Sequence, residues 1–167
     1  MNGNTVLHVR AARPADVDDL MRVFAAAREF MVRSGNPNQW TDGYPGRELV
    51  EADVAAGRQW VIADASGYVA GTFCFLPGPE EAYAVIEDGQ WPGDAPYWVI
   101  HRVASDGSHH GVFRCMMDWC GERAAVMRAD THADNRVMQH LLERNGFVRC
   151  GTIYQRGGLP RWAYQRG

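Results

Sequence analysis

The residues best suited to chemistry fall in two stretches, Tyr97 to Cys120 and Asp130 to Gly151. In the first, an apolar run ending in His101-Arg102-Val103-Ala104-Ser105 enters a turn of Asp106, Gly107, Ser108, His109, His110 and Gly111, which opens directly into a helix. Backbone N–H groups exposed at such a turn, together with the positive end of the helix dipole, make a seat for a phosphate-bearing ligand. The Ser108 hydroxyl and the His109 and His110 imidazoles add side-chain donors. His101 stands on the strand leading into the turn, and a histidine's ordinary pKa of about 6.5 suits proton relay at neutral pH. The second stretch supplies Asp130, His132 and Asn135 just before and at the start of another helix.

The rest of the chain must position these groups. Its 167 residues favour one domain, residues 1–167, around one core. Hydrophobic content is 46% and charged content 22%, which argues against disorder over most of the length. The net charge is −3 and every basic side chain besides histidine is arginine. That balance gives no global attraction for nucleic acid or anionic membrane, so neither is expected as a partner. No run of about 18 apolar residues marks a spanning helix, and the first residues lack the layout of a signal peptide. The expected compartment is the cytoplasm. Cys74, Cys115, Cys120 and Cys150 form no CxxC pair and read as free thiols.

Periodicity divides the chain. Val6–Ala11 reads as a strand. Pro14 opens a helix whose Val17, Leu20, Met21, Phe24, Ala27 and Met31 share one face, and Ser34-Gly35-Asn36-Pro37 stops it. A loop with Trp40 and Tyr44 precedes a second helix at Arg47–Ala56. Trp60–Ala63 and Tyr68–Phe75 form a hairpin around Asp64-Ala65-Ser66-Gly67. An aperiodic excursion from Glu80 to Pro96 follows, then a strand from Tyr97 to Ala104 and a helix from Gly111 to Arg123. Val126–Ala129 is a short strand. Thr131 and Asp134 match a capping pattern before the next helix, which Gly146 ends. Phe147–Tyr154 and Arg161–Tyr164 flank Gly157-Gly158 as a last hairpin. The expected fold is α+β, with helices on a mixed central sheet of about six to seven strands and about four helices.

This order, and the windows His101–Ser105, Asp130–His132 with Asp134-Asn135 and Met138, Gly146-Phe147 with Cys150-Gly151, and Arg161 with Ala163-Tyr164, resemble the GNAT superfamily of N-acetyltransferases. The resemblance covers nearly the whole chain and points to a bacterial branch of unassigned substrate. It implies acetyl-CoA as the acyl donor. In the family the turn carries Q/R-x-x-G-x-G/A around the pyrophosphate of coenzyme A. Here Ser108, His109, His110, Gly111, Val112 and Phe113 occupy that window. Gly111 matches, Ser108 replaces the amide or basic residue, Phe113 replaces the last small one, and the turn is about two residues shorter after Ser105. The resemblance also places Asn135 beside the pantetheine arm. Leu142 stands where many members carry a general-acid tyrosine.

The resemblance further implies that the fourth strand splays from the fifth, so that the pantetheine amides pair with backbone groups near Val103 and Ser105, and a backbone N–H there polarises the thioester carbonyl. His101 is the candidate general base, as a histidine on the similar strand is in arylalkylamine N-acetyltransferases. Asp130 with His132 is the second candidate pair; Asp130 either orients His101, binds an ammonium, or caps a strand end. Arg102 is expected on the opposite face by strand alternation. Glu87, Asp88 and Trp91 are candidates for the acceptor pocket, since acids and an aromatic suit a cationic amine. The expected activity is acetyl transfer to a small-molecule or amino-acid-like amine; a silent acyl-CoA-binding module on the same fold is the alternative. No metal is expected, because adjacent His109 and His110 diverge on a turn and HExxH-type spacing is missing. A homodimer is compatible with the family.

Overall fold

Two-sided burial explains the long apolar strands. In a computed structural model describing residues 5–155 and 157–167, seven strands form one sheet in the order β1-β2-β3-β4-β5-β7-β6. These are β1 Leu7–Ala11, β2 Gln59–Asp64, β3 Val69–Pro77, β4 Trp98–Ser105, β5 Met127–Thr131, β6 Val148–Gln155 and β7 Leu159–Arg166. All neighbouring pairs are antiparallel except β4 with β5, so the sheet is mixed as expected. Helices α1 Val17–Arg33 and α2 Arg47–Ala55 cover one face; α3 Val112–Gly121 and α4 Arg136–Arg144 belong to the other. Alternation along β2 shows the division. Val61 and Ala63 pack with the α1–α2 cluster, and Ile62 packs with Val112, Met116 and Cys120 of α3.

Each helix carries the stripe that seats it. Leu20, Val23, Phe24, Ala27 and Met31 are the buried face of α1, and burying a side chain such as Leu20 contributes about 1.5–3 kcal/mol. The start of α3 approaches β3 so closely that a Cβ on Gly71 would lie 2.6 Å from Val112 Cγ1. The cap of α4 differs from expectation. Asn135, rather than Thr131 or Asp134, caps it, its Oδ1 accepting the Met138 N–H at 3.0 Å.

Two irregularities in β4 shape everything downstream. First, β4 and β5 pair only at Trp98↔Met127 and Val99↔Arg128. Beyond Val99 the two strands part, as the sequence comparison implied. Second, the register against β3 slips between Thr72↔Ala104 and Cys74↔His101, so β4 carries an extra residue there. Arg102 absorbs it at φ +49°, a left-handed conformation costing a non-glycine residue about 1–2 kcal/mol.

Candidate functional site

The splay and the bulge together open a cavity of about 750 Å³ between the two halves of the sheet. Its β4 wall is formed by Ile100, His101, Arg102 and Val103. The bulge suspends alternation here, and Arg102 turns to Cys74, the strand partner of His101. The expectation that Arg102 turns to the opposite face is therefore corrected. Its guanidinium bonds the Asp53 carboxylate of α2, the Tyr44 hydroxyl at 3.2 Å and Cys74 Sγ at 3.2 Å. Asp53 is buried and also accepts from Arg58 Nε at 3.1 Å. These charge-assisted bonds hold the strained residue to α2. Burial pushes the neighbouring Cys74 thiol up to about 11, so it is neutral at physiological pH.

His101 meets a carboxylate that the sequence did not single out. Its Nε2 lies 3.3 Å from Glu80 Oε2, and both side chains are about three-quarters buried, at 22% and 25% exposure. Asp130, for which orienting His101 is one of the roles expected from the sequence, is committed elsewhere. Its Oδ2 accepts from the Tyr83 hydroxyl at 2.6 Å and from Gln155 Nε2 at 3.1 Å. Burial and the facing Asp130 raise the Tyr83 hydroxyl well above the ordinary tyrosine value, so it stays protonated as the donor. Asp130 still lines the cavity, as His101 does. His132 does not join them: its Nδ1 accepts the Asp134 N–H at 3.0 Å.

The turn from Ser105 to Gly111 uses its side chains on itself. Asp106 Oδ1 accepts from the Ser108 N–H at 2.9 Å and from Ser108 Oγ at 2.5 Å. Asp106 Oδ2 accepts from Arg22 at 2.7 Å and from the Tyr68 hydroxyl at 2.5 Å. Burial opposes the Asp106 charge, but the bonds from Ser108, Tyr68 and Arg22 outweigh it and hold the carboxyl at about 2. His109 bridges Ser108 Oγ at 2.7 Å to Asp64 Oδ2 at 3.1 Å and stacks on Tyr68. Ser108 and His110 are the exposed side chains of the turn. What the turn offers a ligand is backbone. Gly107 and Gly111 take φ +79° and +80°, and the first amide bonded within α3 is that of Cys115, to Gly111 O. The Val112, Phe113 and Arg114 amides ahead of it are the open donors of a helix start, with no capping side chain. Phe113 does not cover them: it packs on the core and lines the cavity.

Residues outside the sequence-derived set complete the walls. Gln39, from the α1–α2 loop, ties that loop to the β5–β7 side: its Oε1 accepts from Asn135 Nδ2 at 2.9 Å and from Thr131 Oγ1 at 3.3 Å, and its carbonyl accepts from Arg161 at 3.1 Å. Asn135 thus lines the cavity with its amide already engaged. Ser105 Oγ accepts the Gly107 N–H. Glu87 and Trp91 are absent from the cavity walls. Glu87 bridges Thr152 of β6 through its backbone and accepts the Tyr154 hydroxyl at 3.0 Å. Trp91 donates to the Tyr83 carbonyl and stacks under Arg128. The excursion is a brace for β6 that places Tyr83 and, at its start, Glu80. No sequence spacing signals Glu80 or Gln39, because both reach the site from loops.

The family model of the acetyltransferase (GNAT) domain matches residues 7–148. A GNAT-family acetyltransferase from Streptococcus agalactiae 2603 superposes with a TM-score of 0.86 at 31% identity, covering 96% of this chain and 94% of its own. A GNAT-family acetyltransferase from Listeria monocytogenes 4b F2365 gives 0.68 at 19%, covering 99% and 97%. A third structure, a histone acetyltransferase HPA2-related acetyltransferase from Corynebacterium glutamicum ATCC 13032, gives 0.63 at 21%, covering 96% and 95%. The last two share the fold. No curated protein matches the chain. With a family match over most of its length, a parted β4–β5 pair and an open helix start beside the cavity, this chain belongs to the GNAT acetyltransferase family.

Proposed function

We propose that the protein moves an acetyl group from acetyl-CoA to the amine of a small-molecule or amino-acid-like acceptor, with His101 as general base. The parted β4–β5 pair carries this reading, because it leaves one edge of β4 beyond Val99 without a strand partner among the described residues, between the α3 start and His101. Acetyl-CoA supplies an activated acyl carbon on a thiol leaving group. The α3 first-turn amides and the Gly107–Gly111 backbone suit its pyrophosphate, and the β4 edge near Val103 and Ser105 suits its pantetheine amides. Asp106 does not oppose this, since Arg22 balances its charge.

The acceptor enters as an ammonium and must lose a proton before attack. With Nε2 facing Glu80, the His101 nitrogen left to accept that proton, directly or through a water, is Nδ1, and Glu80 stabilises the imidazolium that results. The N–C bond forms while a backbone N–H of the bulged stretch steadies the carbonyl oxygen, and the C–S bond then breaks. Leu142, buried on the cavity wall, has no proton to give. The departing thiolate takes its proton from water, a tolerable arrangement because an ordinary thiol has a pKa of about 8.5.

Calorimetric titration with acetyl-CoA, followed by an amine screen read as thiol release, tests this. The expected result is micromolar binding, about −8 kcal/mol, with turnover of at least one amine. Binding without turnover of any amine identifies the silent acyl-CoA-binding module, and no binding at millimolar cofactor contradicts both readings.

A further inference from the structure

Among the described residues three arginines line the cavity, and they are not equivalent. Arg58 and Arg102 share the Asp53 carboxylate. Arg161, on β7, has no acid partner among the described residues. Among the described residues its side chain makes one hydrogen bond, to the neutral Gln39 carbonyl, and its buried Nε has no partner. A half-buried guanidinium with open donors is unfavourable unless something anionic completes it. Nearby carboxylates do not: Asp130 is held by Tyr83 and Gln155, and Glu80 lies against His101.

Register fixes where Arg161 stands. Ala163 pairs with Asp130, and Arg161 is the next same-face residue on β7, about 7 Å further along the strand. It therefore sits past the end of β5, so the cavity wall carries the Glu80 and Asp130 carboxylates and, further along β7, a cation with no acid partner among the described residues. An acceptor with an amine at one end and an oxyanion at the other matches that polarity. The guanidinium fork fits a carboxylate through paired N–H donors.

We propose that Arg161 anchors the acceptor, and that the acceptor class is amines bearing a carboxylate or an equivalent oxyanion. This rests on the transferase reading and narrows it. The test uses the full chain with saturating acetyl-CoA. The panel is the twenty common amino acids, the amides of those that react, taurine, 2-aminoethylphosphonate and uncharged alkyl and aryl amines. The expected result is that an oxyanion-bearing acceptor exceeds its uncharged counterpart by about tenfold or more in kcat/KM. Arg161→Gln removes that preference by raising the KM of the charged acceptor, Arg161→Lys restores part of it, and calorimetric acetyl-CoA affinity is the same in all three. Transfer to uncharged amines alone, or a preference that survives Arg161→Gln, overturns the inference and leaves the transferase reading standing. Transfer to no member of the panel despite acetyl-CoA binding overturns both.

Discussion

The turn after β4 and the wall before it are built from similar residues and put them to opposite uses. In the turn, Ser108, His109 and Asp106 bond one another and Asp64 of β2, and the donors left open are the peptide N–H groups of the α3 start. In the wall, His101 and Arg102 line the cavity, and their supports, Glu80 and Asp53, come from other elements. On the proposed mechanism, side-chain identity in the turn sets backbone shape, whereas in the wall it sets chemistry. A motif that reads side chains in a turn mistakes scaffolding for contacts.

The sharpest way to break this comparison is at the wall. His101→Gln is expected to lower kcat by about 10²–10⁴-fold, with acetyl-CoA affinity unchanged, in steady-state rates paired with calorimetry. Nearly as large an effect, on stability, is expected from Asp53→Ala. It leaves Arg102 buried without its carboxylate, at a cost of about 2–4 kcal/mol by urea denaturation, partly relieved because Arg58 is half exposed.

In the turn, Gly111→Val meets no steric obstacle but forces a branched residue to φ +80°. The expected outcome is a loss of about 1–2 kcal/mol in stability and a weaker acetyl-CoA Kd, with kcat at saturation retained. A smaller effect concerns acid. Asp106 is depressed to about 2, so the stability it contributes is complete above its unfolded value near 4 and disappears as pH falls from about 4 to about 2. That part is on the order of 1 kcal/mol after allowance for solvent screening. Melting curves at pH 4.5 and 2.5 should show it in the wild type and not in Asp106→Asn.

The elements were legible because their signals are local. The stripe from Leu20 to Met31, the Gly146 stop at φ +87° and the Gly157-Gly158 hairpin each depend on neighbours in sequence. The site was legible only where it follows an element. His101 is found from the strand that carries it. Glu80 and Gln39 arrive from loops whose paths are set by tertiary contacts, Thr152 with Glu87 for one and Asn135 with Thr131 for the other. Arg102 escaped because alternation is a rule for regular strands, and a bulge is where the rule lapses. Trp91 was attractive as an aromatic among acids, but Arg128 already occupies its face.

One paired measurement goes most directly to the claim that wall side chains act and turn side chains only shape. His101→Gln and Ser108→Ala are assayed together for acetyl transfer to the best acceptor and for acetyl-CoA affinity. The account predicts that His101→Gln loses its rate and keeps its affinity, while Ser108→Ala stays within about threefold of the wild type in both, as expected for a surface hydroxyl satisfied inside its own turn. A collapse of affinity in Ser108→Ala, with normal turnover in His101→Gln, would contradict it.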